Sequence, residues 1–180
     1  MDKETIEDAD KDRIVQDYFF KNDVISAFKH IPGQIENTNK INSTILEKWI
    51  NNAQKYAKIQ GVNIDRVLGK LLIYGPREDN VLFPSFEVCS LFEKICNQDI
   101  QKYLYLEIIN GAERPIITVV DGGETFTAIK MSYEELLRKY PKRDYPHTNE
   151  LLKAVIKEYA IMAKEQEEEE HLRHMGVGNY

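Results

Sequence analysis

The sequence predicts a mainly α protein, an irregular multi-helix bundle with at most one short extended or β segment near Ile116 to Val120. Three observations carry this expectation. Apolar residues recur at steps of three and four through most of the chain, the period of a helix that buries one face. Helix punctuation brackets these runs: Asn42, Asn63, Asp99 and Thr148 stand before them, and Gly61, Gly75-Pro76 and Asn110-Gly111 after them. Only Pro115-Ile116-Ile117-Thr118-Val119-Val120 is β-branched enough to read as extended chain.

Residues 1 to about 11 are acidic and polar. Ile14, Val15, Tyr18, Phe19, Val24, Ile25 and Phe28 carry a broken helical period with a restart at Asn22-Asp23, closed by Pro32-Gly33. Gln34 to Lys40 is Asn-rich without periodicity and reads as a linker or ordered loop. It divides the chain into an N-terminal arm, 1–40, and a helical domain, 41–175.

In that domain Asn42 caps a helix whose stripe is Ile45, Leu46, Trp49, Ile50, Ala53, Tyr56 and Ala57, and Gly61 stops it. Asn63 caps a short helix through Ile64, Val67, Leu68, Leu71 and Leu72. Pro84 suits the first position of a third, on which Val88, Leu91, Phe92 and Ile95 share a face before Asn97 or Gln98 ends it. Asp99 caps Ile100 to Ile109, apolar on most sides and suited to the centre of a bundle. After Asp121-Gly122-Gly123 two readings compete. A hairpin would return through Thr125 to Ile129, but Phe126, Ile129, Tyr133, Leu136, Leu137 and Tyr140 fit a helical period over a longer window, so a helix is preferred.

The closing helix, Thr148 to His174, organises the rest. Leu151, Leu152, Val155, Ile156, Tyr159, Met162 and Ala163 share one face, and then the stripe stops. From Glu165 to His174 no face is left to bury, so half of the helix closes a core and half projects into water.

Composition bounds the function. The 180 residues carry 42% hydrophobic and 30% charged side chains, an ordinary balance for one globular domain. A net charge of −6 argues against nucleic-acid binding by bulk electrostatics, which needs clustered Lys and Arg. Met1-Asp2-Lys3-Glu4-Thr5 has no apolar h-region and no run is long enough to span a bilayer, so the expectation is a cytoplasmic protein with no membrane contact. Cys89 and Cys96 lie seven apart on one expected helix, about 10 Å, too far for a disulfide, and read as free thiols.

From Asn42 to Arg173 several short motifs stand together: Trp49 and Ala53; Gly69-Lys70-Leu71-Leu72 with Pro76; Phe83-Pro84 and Val88; Asp99-Ile100; Gly122-Gly123 before a helix; and Tyr145-Pro146-His147-Thr148 leading to Leu151-Leu152, Ile156, Tyr159 and the Glu-rich end. In these the chain resembles the helical C-terminal region of large, uncharacterised bacterial proteins, a family without assigned activity. The resemblance implies a helix after Gly-Gly and a bacterial setting. It implies no mechanism, because the shared positions are packing and capping residues.

Candidate sites are few. Gly122 and Gly123 at a helix start offer backbone amides to an anion, with Lys139, Lys142 and Arg143 as companion cations for a nucleotide-like ligand; a turn plus helix start is the plainer reading. Lys130, Arg138, Lys139, Lys142 and Arg143 with Tyr133, Tyr140 and Tyr145 are read as a nucleic-acid contact, against a solvated helix end whose cations oppose the dipole. His171 and His174, with Glu167 and Glu170, form a His-x-x-His pattern, but a solvated helix end accounts for it and no metal or cofactor is expected. Tyr159, Glu167, Glu168, Glu169, Glu170 and His171 are the expected partner-facing set. No catalytic motif is present. The expected function is a protein–protein interaction or assembly module, joining another protein or a second copy of itself.

Overall fold

Asn42 starts the first helix among the described residues by accepting the backbone N–H of Ile45 on its side-chain oxygen at 3.1 Å. The computed structural model describes residues 31–75 apart from 36, 37, 39 and 62, together with 85–110 and 123–175. Among these stand six α-helices and no strand: α1 (Ser43–Ile59), α2 (Asp65–Leu72), α3 (Phe86–Ile95), α4 (Gln98–Asn110), α5 (Glu124–Lys139) and α6 (Pro146–His174). The fold is the mainly α, multi-helix bundle that the periodicity predicts. The N-terminal residues 1–30, Pro84, the Ile116 to Val120 segment, Asp121 and Gly122 lie outside the described residues.

Ahead of α1, Ile31 is only 2% exposed and belongs to the core. Asn42 donates its N–H to the Gly33 carbonyl at 2.8 Å, and Gln34 and Ile41 form an isolated antiparallel bridge. The chain from 31 is thus packed onto the helical body. In α1 the expected stripe splits. Leu46 and Ile50 are buried, while Ile45 and Tyr56 stand in solvent.

Helices α2 and α4 cross at Gly69. A Cβ there would lie 2.7 Å from the Ile100 carbonyl oxygen and 2.8 Å from Tyr103 Cβ, so only glycine admits this approach. The starts of the two helices are stitched reciprocally. Asn63 accepts the Asp65 N–H at 2.8 Å and Asn97 accepts the Ile100 N–H at 2.9 Å. Each asparagine also donates its amide to the aspartate of the other helix, Asn63 to Asp99 at 3.1 Å and Asn97 to Asp65 at 2.9 Å. Asp99 is therefore a partner of Asn63 rather than the cap expected from sequence. Two residues earlier, just ahead of the α4 start at Gln98, Asn97 reaches the orphan N–H that Asp99, already inside the helix, cannot. Helix α3 ends at Ile95, two or three residues before the expected stop, where Cys96 turns extended.

Helix α5 begins after Gly123, whose φ of +83° suits glycine, and the helix preferred over a hairpin is the one formed. Helix α6 begins two residues before Thr148. Pro146 occupies its first turn, where a missing N–H costs nothing, and Thr148 is fully buried rather than capping. Its first half buries Leu151, Leu152, Val155, Tyr159 and Ala163 against α3, α4 and α5. Each such aliphatic side chain contributes about 1.5–3 kcal/mol. Tyr159 stacks on Tyr133 at 5.8 Å between ring centres and leans on Phe126 at 6.1 Å. Among the described residues no helix is long and apolar enough to cross a membrane.

Candidate functional site

Beyond Ala163, α6 continues for eleven residues with the buried face gone. Side chains one turn apart hold it: Lys164 to Glu168 at 3.3 Å, Glu169 to Arg173 at 3.7 Å and Glu170 to His174 at 3.7 Å. Such pairs support a solvated helix by a few tenths of a kcal/mol each. Histidine and arginine in the last turn also face the negative pole of the helix. Of the expected partner-facing set, Glu167, Glu168, Glu169 and His171 are exposed and Glu170 is half-buried. Tyr159 is a correction. At 1% exposure, with its hydroxyl 3.5 Å from the Ile108 carbonyl, it is a core residue and offers nothing to a partner.

The expected anion site separates into two places. Gly123 starts α5 and Lys139 ends it, with sixteen helical residues between start and finish, about 24 Å of rise. One small ligand does not touch both. Where a side chain on Gly123 would sit, the Ala163 carbonyl oxygen lies 2.5 Å away, so this glycine is required for α5 to meet α6. Lys139, Lys142 and Arg143 are exposed, and Lys142 reaches Glu150 at 3.8 Å. The tyrosines of that connection turn inward. Tyr133 and Tyr140 are buried, Tyr140 meets Tyr145 edge-on at 5.0 Å, and Tyr145 meets Phe86 at 5.9 Å. Rings spent on packing are not free to stack on bases.

Both cysteines are free thiols, Cys89 buried and Cys96 half-buried. Burial, reinforced by the carboxylates of Glu93 and Glu150, pushes the Cys96 thiol up to about 12. A thiol held protonated is a poor nucleophile. Among the described residues no group of three or more His, Cys, Asp or Glu side chains is placed to hold a metal ion.

One feature escaped the sequence. Between α4 and α6 a shallow groove of about 290 Å³ is lined by Gln98, Gln101, Lys102, Tyr105, Leu151 and Ala154. Amide, ammonium and phenol groups stand over an apolar floor, an arrangement suited to holding a small polar molecule. Tyr105 donates its hydroxyl to Glu158 at 3.1 Å, and burial with that carboxylate raises it above the usual tyrosine range, so the phenol stays a donor. Gln98, Gln101, Lys102 and Tyr105 do follow the helical period, but nothing local says that Leu151 and Ala154 face them.

No family model, no curated protein and no solved structure matches the chain. The class of protein is set by fold alone: an irregular helical bundle closed by a helix longer than its core requires.

Proposed function

We propose that this chain is a protein–protein interaction or assembly module of a bacterial multi-subunit or multidomain system, working in the cytoplasm without catalysis of its own. The observation that carries the proposal is α6. Its first half is core, and its last eleven residues form a charged, solvent-facing helix that buries no apolar stripe. A folded domain gains nothing in its own stability from three further turns of solvated helix, whereas a partner gains a rigid handle whose shape is set in advance. Size-exclusion with light scattering, on the chain alone and mixed with the products of neighbouring genes, tests this. The expected result is an assembly lost when the chain is ended at Lys164. A chain that stays monomeric and takes up none of those products overturns it.

A second reading, a small-ligand-binding regulator, is supported by the groove rather than by Gly123. Lys102, Gln98 and Gln101 would receive a small polar or anionic group there. Thermal shift against nucleotides and organic acids checks it. A stabilising ligand whose effect disappears in Lys102→Met supports the reading, and the absence of any shift removes it.

A further inference from the structure

Two helical faces of this chain are unfilled in the same pattern. On α1, positions 45, 49, 52, 56 and 59 follow the alternating steps of four and three that bring residues to a helix–helix seam. They are Ile45, Trp49, Asn52, Tyr56 and Ile59. Ile45, Tyr56 and Ile59 are 53%, 67% and 66% exposed, and Trp49 is only partly covered. Leu46 and Ile50 point to the core beside them, so this is a second face of α1, left over after the first is used. Along its outer flank run Lys48 and Lys55, and among the described residues neither is held in an ion pair.

On α6 and the residue that closes it, the same steps select Ile161, Glu165, Glu168, Leu172 and Met175. This stripe lies opposite the buried one. Ile161, Leu172 and Met175 are 41%, 45% and 55% exposed. The two faces are of equal length and oppose in charge. The α1 face has apolar ends, an amide at its centre and, along its edge, two cations unpaired among the described residues. The α6 face has apolar ends and two carboxylates at its centre, Glu165 and Glu168, of which Glu168 also lies 3.3 Å from Lys164 one turn earlier.

Within one chain the two faces belong to different helices that are not packed together. We infer that the α6 end of one copy docks on the α1 face of another, a head-to-tail contact in which Ile161, Leu172 and Met175 meet the apolar positions of α1 and Glu165 and Glu168 meet Lys48 and Lys55. The inference rests on the interaction-module reading and names its partner as a second copy of this chain. Because the two surfaces differ, the contact leaves one of each unused and propagates, as a ring if the rotation closes and as an open chain if it does not. Five positions on each helix bury on the order of 1,000 Å² in all, the range of transient complexes. Association is then weak, concentration-dependent and reduced by salt.

Sedimentation of the full chain between about 10 and 200 μM tests it, the range in which a small interface fills. The wild-type mass rises with concentration and the rise is suppressed in about 0.5 M salt. Tyr56→Asp and Leu172→Asp, each at an exposed position, weaken association at least tenfold, with circular dichroism confirming that each remains folded. Mixed together, the two variants recover association and stop at two chains, because one retains only the α6 face and the other only the α1 face. A wild-type chain that stays monomeric overturns the inference, as does a mixture that fails to recover, which marks a symmetric contact. A lower melting temperature for monomeric Tyr56→Asp also overturns it, by assigning the α1 face to a contact within the chain. A monomeric wild type that still joins the products of neighbouring genes overturns this inference and leaves the interaction-module reading standing.

Discussion

The carboxylate of Glu93 closes the start of α6: one oxygen accepts the Thr148 N–H at 2.6 Å and the other accepts the His147 N–H at 3.1 Å. A side chain from α3 thus does what a residue of the α6 start would ordinarily do, and it adds a negative charge at the positive pole of the longest helix. Glu93→Ala leaves two partly buried amides without this acceptor. We expect a loss of about 1–2 kcal/mol, read as a lower urea midpoint at unchanged slope. Glu93→Gln keeps one acceptor oxygen and loses roughly half as much.

Gly123 and Gly61 separate two effects that a glycine substitution usually mixes. Both have positive φ, +83° and +65°. A Cβ on Gly61 meets nothing within 4 Å, whereas one on Gly123 lies 2.5 Å from the Ala163 carbonyl oxygen. Gly61→Ala therefore costs only the backbone term, about 1–2 kcal/mol. Gly123→Ala adds a collision with backbone that cannot rotate away, and we expect it to exceed Gly61→Ala by about 2 kcal/mol or more in chemical denaturation.

The paired Asn63–Asp99 and Asn97–Asp65 contacts are exposed, so they fix register more than they stabilise. A double-mutant cycle on Asn63→Ala and Asp99→Ala should return a coupling of about 0.5 kcal/mol. A value near zero would mean that the Asn63–Asp99 pair does not help to position α2 on α4.

Periodicity made the helices legible because each buries one face, and Phe126, Tyr133 and Leu136 are buried on α5 as a 3.6-residue period requires. It misled where a face is apolar and unburied, as with Tyr56 on α1, since the pattern is the same whether or not something covers it. The cap of α6 was illegible for another reason. Glu93 and Thr148 are 55 residues apart, and nothing around Thr148 reports an acceptor arriving from α3. Tyr159 falls both on the apolar stripe of the closing helix and in the expected partner-facing set, and its burial follows the stripe. Its stacking on Tyr133 depends on how α5 and α6 pack, which no local pattern encodes. The groove, likewise, exists only once α4 and α6 are side by side.

Two truncations test the division of α6. Ending the chain at Lys164 removes the solvated turns and none of Leu151, Leu152, Val155, Tyr159 or Ala163, so the thermal transition should stay cooperative with its midpoint within about 3 °C. Ending it at His147 removes all five, about 10 kcal/mol of burial against a total stability of about 5–15 kcal/mol. That chain should show no cooperative melt by circular dichroism. A cooperative melt there would refute the view that α6 completes the core.

Cys96 gives the fold an alkaline limit. Its thiol has an ordinary pKa of 9.0 and is raised to about 12 by burial first, then by Glu93 and Glu150. Below about 9 the thiol is protonated whether the chain is folded or not, and its contribution to stability is fully present. As pH rises toward 12 the unfolded chain releases this proton while the folded chain retains it, so that contribution is progressively lost. Tyr105, also raised, acts with the same sign. Urea unfolding between about pH 8.5 and 10.5 should therefore show stability falling with pH, and Cys96→Ala should flatten the fall. Reaction with a disulfide reagent at about pH 8 supplies the independent check, because only thiolate attacks. Native chain should react far more slowly than urea-unfolded chain, and Glu93→Gln should speed the native reaction by removing one of the two charges that hold the proton in place. If Glu93→Gln leaves that rate unchanged, the carboxylate is committed to the α6 amides, and burial and Glu150 protect the thiol.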